Sequence, residues 1–356
     1  MRIIVASSQY PPTRSGYSQV AGNLTAGFRD RGHEVTVITE GHGCYRAAKA
    51  AFLDSGGRRA LRTGGDILQV IGPTPLFTEQ VTIEASRLEL PTVYYIHAFA
   101  GLATYGRSSV FRLVDSLYLS TYYRRALRTL KHATSSTQDF ADSFSLYTGP
   151  WTIIPNGVRD PCIDLGKLTG ETKAEAPHER LRLLFVGQLR SYKGVEYLLD
   201  AMRELLQRGK KVELTVVGDG PDRGRLDELV DRLGIRPSVT MAGSLSDEDL
   251  HAQYLRNDVL VLPSLRGESF GIVLLEARLH GMRLVASDLP GVREVVGQVG
   301  GELVKPADPH ALAQALMDMA PLDPGARKLD TMIAERYSWS RVASMFLQLY
   351  ESVLGK

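Results

Sequence analysis

Two glutamates stand in the stretch "PSLRGESFGIVLLEA" (263–277), Glu268 in a glycine-bearing loop and Glu276 inside an apolar run. A charge set among Val273, Leu274 and Leu275 needs partners if it is to be buried, and sugar hydroxyls would serve. Upstream, "GQLRSYKG" (187–194) puts Lys193 where a strand gives way to a helix. Free amides and the positive end of a helix dipole favour an anion there, so Lys193 suits a diphosphate. His97 closes the run "TVYYIH" (92–97). Each residue also has a plain reading: a solvated lysine, a structural histidine, a glutamate satisfied by backbone amides.

Such residues meet only if strand ends are brought together. Short apolar runs at 2–7, 34–39, 66–71, 92–97 and 151–155 alternate with helix-length segments, and the pattern restarts from 181 with runs at 212–218, 238–243, 258–263, 283–288 and 301–306. Strands this continuously apolar are buried on both faces, which predicts two doubly wound parallel α/β domains. After the run at 181, Val195, Leu198, Leu199, Met202, Leu205 and Leu206 form one apolar helical stripe. Ser269 is the expected N-cap of a helix from Phe270 to about His280, stopped by Gly281, with the amides of Phe270, Gly271 and Ile272 at its start. The expected division is 1–165, a polar linker at 166–180, 181–336, and a last helix within 337–356.

Composition narrows the function classes. The 356 residues suffice for two cores, and 44% hydrophobic with 23% charged residues fits a fully folded chain. Lys plus Arg number 42 against 40 acidic residues, so nothing points to nucleic acid. Two cysteines form neither a disulfide framework nor a four-ligand zinc site. With no signal-peptide core at the start and no apolar run of spanning length, the chain is expected in the cytoplasm.

Three further motifs invite readings. "SDEDL" (246–250) has metal-binding Asp-x-Asp spacing, but Ser246 followed by acids reads as a capped helix start. "VVGDGPDRG" (216–224) has glycines after a strand, yet its third glycine falls out of step with a dinucleotide fingerprint and Pro221 suits the first helical position. Segment 111–132 is helix-like, with Arg124, Arg128 and Lys131 on a face near Tyr122 and Tyr123, a candidate for peripheral contact with anionic lipid. A solvated charged face is the alternative.

The series "IPNGV" (154–158), "LLFVGQLRSYKGVEYLLDAM" (183–202), "VVGDGP" (216–221), "VLPSLRGESFGIVLLEA" (261–277) and "VASDLPGVREVV" (285–296) resembles, in order and spacing, the retaining glycosyltransferases of family 4. So does "YPPTRSGYSQVAGNLTAGFRDRGHEVTVIT" (10–39), and the resemblance covers nearly the whole chain. It implies a GT-B fold, two Rossmann-like domains facing across a cleft, with a last helix that returns to the first domain. It also implies transfer of a sugar from a nucleotide-diphosphate donor to an acceptor small molecule, lipid or growing glycan, with no cofactor and no metal. By position, Glu276 would bind the donor ribose and Glu268 the transferred sugar. The amides of Phe270, Gly271 and Ile272 would meet the sugar or diphosphate, Lys193 would neutralise the diphosphate, and Gly16 would close over it. His97 would lie near the reacting centre, and Gly243, Ser244 and Leu245 would border the base. Departures are Gln188 where the family commonly has arginine, with Arg190 two residues on; Ser15 in place of a glycine; and Arg283 in place of a proline. A related epimerase and a non-catalytic nucleotide-sugar binder are the alternatives.

Overall fold

Strands covered on both faces by helices need unbroken apolar runs, and such runs supply the centres of two all-parallel sheets. The computed structural model describes residues 1–13, 15–40, 53–97, 116–158, 178–323 and 330–355. The first unit comprises Met1–Gly157 and Trp339–Lys356. It holds β1 (Arg2–Ser7), β2 (Glu34–Ile38), β3 (Ile67–Gly72), β4 (Thr92–Ile96), β5 (His132–Ser135) and β6 (Trp151–Ile153), in the order β2-β1-β3-β4-β5-β6. The second unit, Val158–Ser338, holds β7 (Leu181–Val186), β8 (Val212–Val217), β9 (Val239–Gly243), β10 (Val259–Leu262), β11 (Arg283–Ser287) and β12 (Glu302–Val304). Its order is β12-β11-β10-β7-β8-β9.

Each order reverses its winding once, between β1 and β3 in one sheet and between β7 and β10 in the other. Ligands of open α/β sheets collect outside the carboxyl ends of strands at such a point. Lys193 follows β7 and Glu268 follows β10, so topology alone brings their loops side by side.

The helix Val195–Gln207 buries Val195, Leu198, Leu199, Met202 and Leu205 in the second core, with Leu206 partly covered. In the first unit the helix Trp339–Leu354 buries Trp339, Val342, Phe346 and Tyr350 among Ile3, Val20, Leu24 and Phe28. A Cβ added to Gly27 would lie 2.7 Å from Ala343 Cβ, so the helix Gly16–Arg29 and this last helix meet closely. Tyr350 OH donates to Gln69 Oε1, inside β3, over 2.7 Å.

Several expectations need correction. The chain leaves the first unit after Gly157, ahead of the 1–165 boundary, and returns at Trp339; the linker at 166–180 lies outside the described residues up to 177. Strand β5 was not expected, because "HATS" offers no long apolar side chain. Ser269 does not cap the helix of Glu276, which runs Ile272–Leu279 behind a left-handed Gly271 (φ 79°) that breaks the register between Ser269 and the helix. Pro221 precedes Asp222, the N-cap of the helix Arg223–Arg232, and so stands outside it. Within 111–132, residues 111–115 lie outside the described residues. A π-helical turn at Leu119–Tyr123 shifts the periodicity there and carries Tyr123 into the core beside Tyr118 and Phe144, so it cannot belong to an outer face.

Candidate active site

The loop after β7 ends in a short 3₁₀ turn, Ser191–Lys193, followed by Gly194 in the left-handed region (φ 68°) as N-cap of the helix Val195–Gln207. A Cβ at Gly194 would fall 2.1 Å from the Pro263 carbonyl oxygen, so only glycine lets this turn press against the loop after β10. The Leu265 amide donates to Tyr192 O over 2.8 Å and ties the two loops together. Lys193 Nζ consequently donates to Glu268 Oε1, and the buried Ser264 donates its hydroxyl to the same oxygen over 2.8 Å. Burial works against the Lys193 ammonium, but the charge of Glu268 and its hydrogen bond outweigh it and hold the lysine above its ordinary range.

Beside Lys193, Arg190 Nε donates to Gln188 Oε1 over 3.2 Å. Gln188 thus supplies no charge itself but orients an arginine at the same loop. Glu276 is 1% exposed, and its Oε2 accepts from Tyr254 OH over 2.6 Å. The first-turn amides of Ile272 and Val273 have no acceptor within the helix by construction. Phe270 is buried against the second core. Gly243 ends β9 with φ 71°, Ser244 is exposed, and Leu245 is partly buried. Lys193, Glu268, Glu276, Gln188, Arg190, Phe270, Gly271, Ile272 and Gly243 to Leu245 all follow strands of the second sheet at their carboxyl ends.

Gly16 and His97 belong to the first unit. Gly16 opens the helix Gly16–Arg29 behind Ser15, whose side chain accepts from the Ser18 amide in extended backbone (φ −157°). Serine therefore loses nothing at this position. A Cβ at Gly16 would meet nothing within 4 Å. The His97 ring lies 3.7 Å from the Tyr95 ring and 5.9 Å from Tyr17, and its amide donates to Gly72 O over 2.8 Å. Burial drives the imidazole down to about 3, so it is neutral at physiological pH. Its Nε2 has no hydrogen-bond partner among the described residues. Tyr95 is in turn fixed by donating to Ile154 O and Asn156 Oδ1, at 2.9 and 3.0 Å.

Sequence reasoning missed Ser264, Tyr254, Tyr95 and Asn156. Asn156, Ser264 and Tyr95 sit in the quoted stretches "IPNGV", "PSLRGESFGIVLLEA" and "TVYYIH", Tyr254 in none, and none of the four carries a signal that periodicity reads. Ser246 caps the helix Asp247–Arg256 by accepting from the Asp249 amide over 3.0 Å, which gives "SDEDL" the structural role expected. Among the described residues no three His, Cys, Asp or Glu side chains cluster as a metal site, and no helix is long and apolar enough to cross a membrane.

Residues 170–334 match the family model described as glycosyl transferases group 1. An uncharacterized glycosyltransferase of Methanocaldococcus jannaschii is 28% identical, over 99% of this chain and 98% of that protein. The phosphatidyl-myo-inositol mannosyltransferase of Mycobacterium tuberculosis is 36% identical over 57% of this chain, so the matched part spans 54% of that relative's length. Among solved structures, a sucrose-phosphate synthase from Thermosynechococcus elongatus superposes with a TM-score of 0.76 at 20% identity, covering 99% of both chains. With the two parallel sheets, that likeness establishes the GT-B fold.

Proposed function

We propose, from the match of residues 170–334 to the glycosyl transferases group 1, that the protein moves a sugar from a nucleotide-diphosphate donor to an acceptor hydroxyl with retained configuration, without a metal ion. The observation that carries this reading is the meeting of Lys193, Glu268 and Ser264 at the switch point of the second sheet. A cation beside helix N-termini stabilises charge that grows on the departing diphosphate, the main electrostatic demand of the reaction. Lys193 and Arg190 supply that charge, the amides from Phe270 to Ile272 add dipoles, and Glu268 holds hydroxyls of the sugar. Glu276 takes the ribose, and the loop from Gly243 to Leu245 borders the base. In the first unit, His97 stands neutral just past the carboxyl end of β4, the position at which the family resemblance expects a histidine for the donor sugar. The exposed Gly16, with open space at its Cα, leaves room for a phosphate to approach the backbone.

The acceptor is a small molecule, a lipid or a growing glycan, and the reaction takes place on the cytoplasmic side. Exposed Arg124, Arg125, Arg128 and Lys131 favour an acceptor presented at an anionic membrane surface.

Thermal stability measured with UDP-, GDP-, dTDP- and ADP-sugars tests the donor: one nucleotide should raise the melting temperature well above the others. Transfer from that donor should persist in EDTA, and NMR of the new linkage should show the donor's anomeric configuration. Stabilisation by no nucleotide sugar, or activity restored only by a divalent ion, would overturn the reading.

A further inference from the structure

We propose that Tyr254 and His280 are positioning residues that fix Glu276 for the donor ribose. The inference rests on the donor reading above and extends it to the side chains that hold this carboxyl group. Tyr254 OH donates to Glu276 Oε2 over 2.6 Å, and both side chains are buried. At the other end of the same residue, His280 Nδ1 lies 2.6 Å from the Glu276 backbone oxygen. A carbonyl only accepts, so Nδ1 carries the proton. The other ring nitrogen, Nε2, lies 2.6 Å from His251 Nδ1. The Tyr254 and His280 rings stack with centroids 5.0 Å apart and planes inclined by 24°.

His251 and Tyr254 are three residues apart on the helix Asp247–Arg256 and share a face. One helix therefore grips Glu276 twice, at its carboxyl group directly and at its backbone through His280. The same helix begins at Ser246, the end of the loop assigned to the nucleobase, so contacts to the base and to the ribose are carried by one rigid element. A carboxyl group held this way presents the ribose with an acceptor already oriented, which lowers the ordering cost of binding.

Contacts made equally in the ground and transition states appear in KM and leave kcat alone. Tyr254→Phe should raise KM for the nucleotide sugar about tenfold, the worth of one hydrogen bond to a carboxyl group, with kcat changed less than about twofold. His280→Asn, whose amide can still donate to the Glu276 carbonyl, should stay nearer wild type in KM than His280→Leu. Adding Tyr254→Phe to Glu276→Ala should raise KM no further than Glu276→Ala does alone. A purely structural role would lower the melting temperature of these variants while leaving KM at its wild-type value, and that result overturns the inference. If Glu276→Ala raises KM and Tyr254→Phe does not, the inference fails alone; if Glu276→Ala leaves KM unchanged, the donor reading fails and takes the inference with it.

Discussion

Glu268 and Lys193 were read from sequence as residues with separate tasks, one for sugar and one for diphosphate, but in the structure they hold each other. On the proposed function, a donor at this site would share the lysine with the glutamate, so the two would act as a unit. Lys193→Ala should lower kcat about a hundredfold, roughly 3 kcal/mol of lost transition-state stabilisation. The Lys193→Ala, Glu268→Ala double variant should fall little below the worse single one, because removing either already breaks the pair. Steady-state kinetics of the three variants checks this, and fully additive losses would show that the residues work independently. The types and loop positions of both residues were legible in the chain. Their pairing was not, since Ser264, Tyr192 and Gly194 make it through contacts between two loops far apart in sequence.

Segment 116–131 shows how a helix face can be half legible. Arg124, Arg128 and Lys131 are exposed as expected and Arg125 joins them, whereas Tyr123 is buried and the large apolar residue facing water is Leu117, 63% exposed. A basic cluster with an exposed leucine still suits an anionic surface, mostly by charge. Replacing Arg124, Arg128 and Lys131 together with glutamine should abolish sedimentation with anionic vesicles at low salt while leaving donor hydrolysis intact. Wild-type protein that ignores such vesicles would end the idea. Most strands were legible because parallel strands are apolar on both faces. β5 escaped because "HATS" is small and polar, and it is a strand only because β4 and β6 flank it. The start of the Glu276 helix escaped for a related reason: Gly271 is left-handed where Ser269 lies against Gly291, at which a Cβ would sit 2.3 Å from Ser269 O.

Across the first unit, two groups make stability depend on pH in opposite senses. His97 is held near 3, so as pH falls below its usual 6.5 the unfolded chain takes up a proton that the folded chain refuses, and stability falls. Glu79 is fully buried and accepts from Tyr118 OH over 2.6 Å. Burial raises it from 4.5 to about 7, so as pH rises through that window the unfolded chain releases a proton that the folded chain keeps, and stability falls again. Glu79→Gln should therefore stabilise the protein at pH 8, by up to about 3 kcal/mol, and by progressively less toward pH 4.5; thermal melting with an equal gain at both pH values would refute this. The route of the chain adds a constraint of another kind. The first unit draws on both ends of the polypeptide, while the second is continuous from Val158 to Ser338. During synthesis the second unit is complete before the first has received Trp339–Leu354, and until then Ile3, Leu24 and Phe28 lack their cover and Gln69 lacks Tyr350. The nascent first unit thus spends the translation time of the entire second unit with one face of its core open, so the second unit is born finished while the first waits on its own last helix.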